Sequence, residues 1–492
     1  MTQDINQRMA KGIVWMVAAR LMDRSIGIVS TLLLARLLVP GDFGLVAMAT
    51  AIGGILDLLG AFSFDMALIQ NANAQRRHYD TVWTFNAIFG VVCTLALIGL
   101  AIPAAAFYSE PRLTAVMYVL SISYFIGAFG NIGVVNFRKE LQFKQEFLFI
   151  FGRRVVTFIV TITAAFLVRS YWALLLGMTV GRLVGFWMSY AMNAYRPRFS
   201  VAATKELFHF SKWLLLNNAL MFLLHDGCTF IIGRLFGASA LGIYSVSYEI
   251  SNLPSTELVA PINRVTFPGF SKMTAVKDVC YAYLKLFGLI TLTIIPVGIG
   301  IAAVAEPLVL TVLGAKWISA IPLIAILGIN GAVSATQTNN GSVWLALGRP
   351  HDVTKVVSVY LIILFPALYF SLKKFGIVGA GYAYIFAQIV NIPYGMITTK
   401  KILKFSWQNI FSIIYRPIIA ASVMYLFVLE LDKQIGTFPA WGRLMSESVM
   451  GSLMYIFIAV TLWQIAGKPQ GAEQFCLYEL KRRFISTQSS QA

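Results

Sequence analysis

Apolar residues in this chain come in long runs, without the one-sided stripe of a soluble amphipathic helix. Val155–Val168, Leu286–Val304 and Val357–Phe370 have no charged face to turn toward water. A helix needs about 20 mostly apolar residues to cross roughly 30 Å of hydrocarbon. The pattern predicts fourteen such spans, over residues 12–35, 43–66, 82–108, 114–135, 147–168, 171–193, 213–232, 240–262, 280–304, 318–345, 356–372, 377–398, 410–429 and 448–466. Turn residues separate them, as at Pro40-Gly41, Pro111, Pro197, Gly237, Pro350 and Gly376. No separating loop is long enough for a soluble domain. The expected fold is an all-α polytopic membrane protein. Residues 1–11 are short, polar and basic, and no small-residue cleavage site ends the apolar stretch after them. That stretch reads as the first membrane helix rather than a removed signal peptide.

Composition agrees. Of 492 residues, 58% are hydrophobic and 12% charged, about half the charged fraction of a soluble domain. The balance is nevertheless basic, with 39 Lys and Arg against 21 Asp and Glu. Position explains most of the excess. With a cytoplasmic N-terminus, 23 of the bases fall in cytoplasmic segments, 9 in external ones and 7 inside spans. The positive-inside rule then predicts cytoplasmic N- and C-termini. The charge is an orientation signal and needs no nucleic acid. Lys481, Arg482 and Arg483 in the tail read as a membrane-surface patch.

An internal repeat organises the spans. Trp15/Trp213, Arg36/Arg234, Leu37/Leu235 and Gly44/Gly242 all keep one offset of 198 residues, close to the spacing between the first and seventh spans. This predicts two six-helix repeat halves plus two C-terminal helices, a plan common among alternating-access transporters. The expected boundaries are an N-terminal lobe over 1–200, a second lobe over 201–404, two additional helices over 405–467 and a cytoplasmic basic tail over 468–492.

The segment Leu38-Val39-Pro40-Gly41-Asp42-Phe43-Gly44-Leu45-Val46-Ala47 resembles the exit of the first helix in polysaccharide transporters of the multidrug/oligosaccharidyl-lipid/polysaccharide exporter superfamily. Ala240-Leu241-Gly242-Ile243-Tyr244-Ser245 is similar to the matching element of their second half. Asn136-Phe137-Arg138-Lys139 and Ala346-Leu347-Gly348-Arg349-Pro350 resemble their loops after helices four and ten. The likeness runs from about residue 10 to about residue 400. It implies a flippase of undecaprenyl-pyrophosphate-linked oligosaccharides in the bacterial inner membrane, serving exopolysaccharide or O-antigen biosynthesis. The implied partners are the lipid-linked oligosaccharide, membrane lipids and a polymerase or assembly machinery, with a monomer as the default state.

A lone charge at the bilayer centre costs roughly 2.5–3.5 kcal/mol on insertion scales, so buried charges are kept where they pair or line a polar cavity. Arg20, Asp23 and Arg24 share one face of the first span at i, i+3, i+4 spacing. Asp57 lies on the second span, Arg153 and Arg154 on the fifth and Arg182 at the middle of the sixth. Five embedded bases thus stand against Asp23, Asp57 and Asp65 in the first half. One reading is an anion cavity in which Arg20, Arg24, Arg153, Arg154 and Arg182 hold a pyrophosphate by charge-assisted hydrogen bonds. The other is a set of structural pairs, Arg20–Asp57 and Arg24–Asp23. The resemblance favours the cavity. Asp23, Asp57, Asp226 and Glu249 are candidates for ion pairing or for coupling to H⁺ or Na⁺; no other cofactor is expected.

The run Ser334, Thr336, Gln337, Thr338, Asn339, Asn340, Gly341 and Ser342 suggests a loosened or broken tenth helix. With Asn217 and Asn218 on the seventh span, Gln337, Asn339 and Asn340 are candidate sugar contacts. The bland alternative is interhelical hydrogen bonding. No P-loop, no His-Glu-x-x-His and no paired Cys ligands occur. Two rival functions remain. A drug or cation exporter on the same fold would favour embedded acids over bases. A membrane polysaccharide polymerase or ligase would carry a sizeable external catalytic loop.

Overall fold

The computed structural model describes residues 2–60, 68–69, 73–273, 275–469 and 471–475, with backbone only for 2–14, 17, 59–60, 205–217, 260–261, 264–265 and 267. Asp65, Lys481, Arg482, Arg483 and the side chains of Trp213 and Asn217 lie outside the described residues. All regular structure among the described residues is helical. The long helices are α1 (Thr2–Leu37), α2 (Pro40–Gly60), α3 (Arg76–Tyr108), α4 (Arg112–Ala128), α5 (Phe143–Val168), α6 (Trp172–Ala191) and α7 (Thr204–Pro254). They continue as α8 (Ala260–Ser271), α9 (Val276–Ala303), α10 (Ile321–Ala346), α11 (Pro350–Phe375), α12 (Gly379–Leu403), α13 (Trp407–Ile435) and α14 (Ala440–Ile465).

Each predicted span overlaps a helix among the described residues, though the division differs in places; the fourth is broken between Ala128 and Ile132, and positions 61–66 of the second lie outside the described residues. By length and apolarity, ten helical stretches among the described residues can cross a membrane, or eleven counting the bent pair 112–128 and 132–139. Two of them, of 42 and 54 residues, exceed one crossing of about 20 residues. The longer holds α11 and α12, separated at Gly376, whose φ is 60°. The shorter lies mostly in α7, which is interrupted at Gly237, where φ is 74° and ψ −173°. Only glycine adopts that backbone without strain. The count of fourteen is therefore approximate.

The helices group into two compact units, residues 1–245 and 246–492. In the first, α3 packs on α4, α5 on α6, and α1 on α5. The linker after α6 is strapped to the start of α3. Tyr195 donates its hydroxyl to Asp80, the Arg198 N–H reaches Asp80 Oδ1 at 2.9 Å, and the Ser200 N–H reaches Thr84 Oγ1 at 2.9 Å. Burial, then the bond to Asp80, push the Tyr195 phenol above its usual range, so it stays a donor.

In the second unit α9 is central, packed on α10 and α13, while α11 pairs with α12 and α13 with α14. Ile290, Ile294, Ala335, Ala420 and Met424 form one buried cluster, and Phe270, Tyr283, Phe287, Val343 and Met396 another. The tenth span is not loosened. α10 runs unbroken from Ile321 to Ala346, because packed neighbours answer several of its polar side chains. Tyr283 donates to Asn340 Oδ1 at 2.7 Å, Asn340 Nδ2 to Gln337 Oε1 at 3.0 Å, and Trp344 Nε1 to Thr399 Oγ1 at 3.1 Å. Asn339 and Asn340 are 0% and 2% exposed. Tyr283→Phe removes one partner of this buried set. It is expected to lower stability by about 1–2 kcal/mol, read as a lower melting temperature of the detergent-solubilised protein, with transport retained.

Candidate functional site

The embedded charges of the first unit meet in a connected array spread over five helices. Arg154 on α5 places Nε 3.2 Å from Asp23 Oδ1 on α1. Arg153, the next residue, lies within electrostatic range of Arg182, Asp23 and Arg154. Arg182 on α6 sits over the Tyr124 ring of α4, 5.5 Å from its centroid. Tyr124 in turn donates its hydroxyl to Asp57 Oδ2 on α2 at 2.7 Å. Consecutive helical residues point about 100° apart. Arg154 therefore turns to Asp23, while Arg153 remains exposed beside Arg182, which is exposed as well. Arg182 is the eleventh residue of a 20-residue helix, so it lies about 15 Å from either end, at mid-membrane depth.

Glycines make room for these side chains. A Cβ at Gly27 would stand 2.8 Å from Arg154 Nη2, one at Gly127 3.1 Å from Arg182 Nη1, and one at Gly185 3.1 Å from Arg153 Cδ. Each long cation thus lies flat against a bare stretch of a neighbouring helix. Asp57 accepts from Tyr124 rather than pairing with Arg20. Arg20 turns Nη1 into the bundle with no hydrogen-bond partner among the described residues. Arg24 is partly buried one turn further along α1.

A second feature of this unit is the meeting of the two repeat copies. A Cβ at Gly44 would fall 1.7 Å from the Ala238 carbonyl oxygen and 2.8 Å from the Gly242 nitrogen. A Cβ at Gly242 would fall 1.8 Å from the Pro40 carbonyl oxygen and 2.9 Å from the Gly44 nitrogen. Ala238 and Gly242 are Pro40 and Gly44 displaced by the repeat offset of 198. The contact is therefore reciprocal, as between equivalent surfaces related by a two-fold axis. It joins α2 to the part of α7 beyond Gly237, at the membrane face predicted to be external.

A family described as polysaccharide biosynthesis protein matches residues 33–322, more than half of the chain. The chain belongs to that family. Among relatives of this polysaccharide biosynthesis protein, the teichuronic acid biosynthesis protein TuaB of Bacillus subtilis is 25% identical, over 81% of this chain and 84% of that protein. The lipopolysaccharide biosynthesis protein WzxC of Escherichia coli is 24% identical, over 84% and 85%. The succinoglycan biosynthesis transport protein ExoT of Rhizobium meliloti is 23% identical, over 92% and 93%. In fold it resembles the lipid II flippase MurJ in an inward closed conformation, with a TM-score of 0.74 at 12% identity, covering 92% of this chain and 99% of that one. A multidrug transporter of the superfamily anticipated from the sequence, in an inward-facing conformation, scores 0.55 at 14% identity over 80% and 99%.

Other residues singled out in the sequence lie elsewhere in this family member. Asp226 is half-buried before the break of α7 and Glu249 lies beyond it; Asn218 is half-buried, two turns before Asp226 on the same helix. Gln337, Asn339 and Asn340 belong to the packed face of α10, where Gln337 Nε2 reaches Thr336 Oγ1 at 3.0 Å. Tyr124 and the seating glycines were missed, since a tyrosine or a glycine in an apolar helix is ordinary until its neighbours are known. Tyr124→Phe frees Asp57 and loosens the ring under Arg182. Transport is expected to fall severalfold at unchanged protein level, measured as polymer output per unit of membrane protein.

Proposed function

We propose that this protein is a flippase. It carries undecaprenyl-pyrophosphate-linked oligosaccharide repeat units across the bacterial inner membrane by alternating access, with both termini cytoplasmic. The observation that carries the reading is the mid-membrane array of Arg153, Arg154 and Arg182, held on glycine seats and matched by few acids. Such cations are expensive in lipid unless an anion answers them, and guanidinium forks suit phosphate oxygens. Arg20 and Arg24 extend the array along α1. The roles for which the relatives are named, in polysaccharide biosynthesis and succinoglycan transport, support the same substrate class.

The first-half cations capture the pyrophosphate from the cytoplasmic side while the isoprenoid tail stays in lipid. The repeat halves then rock to open the site outward. Outward movement of an anion gains about 2.3 kcal/mol per charge per 100 mV in a negative-inside cell. Asp57, Asp226 and Glu249 are the carboxylates through which H⁺ or Na⁺ would couple. Proteoliposomes loaded with a lipid-linked oligosaccharide of defined repeat test the whole reading. Appearance of the sugar on the far leaflet supports it. Protein-dependent movement of drug cations, with none of the lipid-linked sugar, would overturn it.

A further inference from the structure

Two embedded bases of the second unit, Lys285 and Arg416, take no part in the array described above. Both are the tenth residue of their helix, α9 or α13, about 14 Å from its start. They line one cavity of about 670 Å³, walled by α9, α13 and the segment that follows α14. Arg416 is only 6% exposed. Its Nη1 meets Glu473 Oε1 at 2.7 Å and its Nη2 donates to the Ser412 carbonyl at 3.2 Å. Its Nε is buried with no hydrogen-bond partner among the described residues. Lys285 Nζ lies 4.6 Å from the centroid of the Phe475 ring.

Two cations therefore share the cavity with one carboxylate, and that carboxylate comes from a segment beyond the last span. Glu473 answers one nitrogen of the guanidinium and leaves Nε empty. A phosphodiester offers two free oxygens, one to take the place of Glu473 on the guanidinium and one to answer the Lys285 ammonium. The rest of the lining is mixed, with Tyr281 beside Leu284, Leu292 and Ile413. That suits the boundary between headgroups and acyl chains, a level to which long basic side chains reach.

We propose that this cavity binds the phosphodiester headgroup of an anionic membrane lipid through Arg416 and Lys285, and that Glu473 occupies it as a built-in competitor. The full chain, solubilised in a mild detergent, is titrated with phosphatidylglycerol, with phosphatidylcholine and with inorganic phosphate. Bound lipid is counted by native mass spectrometry and thermal protection is followed alongside. Wild type should retain phosphatidylglycerol and be protected by it, and Glu473→Gln should bind it about tenfold tighter. Arg416→Gln should lose this binding. Because Arg416 is buried and that variant could fail to fold, Lys285→Gln, at an exposed position, is the second variant and should weaken it severalfold. Equal affinity of wild type and Glu473→Gln would overturn the competitor. Undiminished binding by Lys285→Gln would overturn the site, and protection by inorganic phosphate as strong as by the lipid would overturn the lipid as its source.

Discussion

Arg182→Ala should cut export by roughly ten- to a hundredfold while the protein stays folded and at its normal membrane level. The side chain sits halfway through α6, exposed, over Tyr124 and against Gly127. Among the described residues it makes no tight ion pair, so its removal leaves no buried carboxylate among them orphaned. Insertion of α6 becomes easier, since a mid-membrane guanidinium costs roughly 2.5–3.5 kcal/mol on insertion scales. On the proposed function, what is lost is a charge-assisted contact to the pyrophosphate, worth about 1.5–3 kcal/mol, or roughly ten- to a hundredfold in rate. Lysine at this position keeps the charge and loses the fork, so Arg182→Lys should fall between the two. Initial translocation rate in proteoliposomes, with protein level fixed by immunoblot, makes the measurement. Normal export by Arg182→Ala at normal level would remove the anion site from the mechanism.

Gly44→Leu should be comparably damaging for a different reason. The added Cβ would stand 1.7 Å from a backbone oxygen of Ala238, and backbone cannot swing aside as a side chain can. Overpacking costs typically 1–3 kcal/mol, and here it falls on the contact that holds the two repeat copies together at one membrane face. On the proposed alternating-access cycle, the arrangement in which Gly44 and Gly242 touch loses population, and the cycle slows in proportion. Gly242→Leu should act alike. Because both substitutions break one contact, the double variant should cost little more than either alone, a non-additivity that a double-mutant cycle reads directly. A cysteine reporter on the outer end of α2 should label faster in either variant. Unchanged labelling and full transport in Gly44→Leu would show that the contact plays no part in the cycle.

The repeat itself illustrates how far a linear pattern reaches. An offset of 198 is visible in four matching residues, yet nothing in that match says that the copies touch. Their contact depends on a close approach of backbone to backbone, for which the two glycines are necessary but not sufficient. The adjacent pair Arg153 and Arg154 behaved as helical geometry requires, one turning to a neighbour and the other staying exposed. Which was which rested on the position of Asp23, on another helix. The polar run of α10 misled because seven hydrogen-bonding side chains and a glycine look like a failing helix. Tyr283 and Thr399, from elements far away in sequence, make it a packed one.

The sequence by itself determined the solvent, the class and the family. Lipid imposes its demand on each span separately, so runs of about 20 apolar residues announce it locally. The bias of basic residues between loops is likewise a local sum, as are the presence and depth of the embedded arginines. Tertiary structure alone decided which charges answer one another, that Tyr124 links Arg182 to Asp57, and that the repeat copies meet at Gly44 and Gly242. Those facts rest on distances of a few ångströms between helices far apart in the chain. Such distances are set by how side chains fill the space between helices, and a pattern read along one strand of sequence carries no record of them.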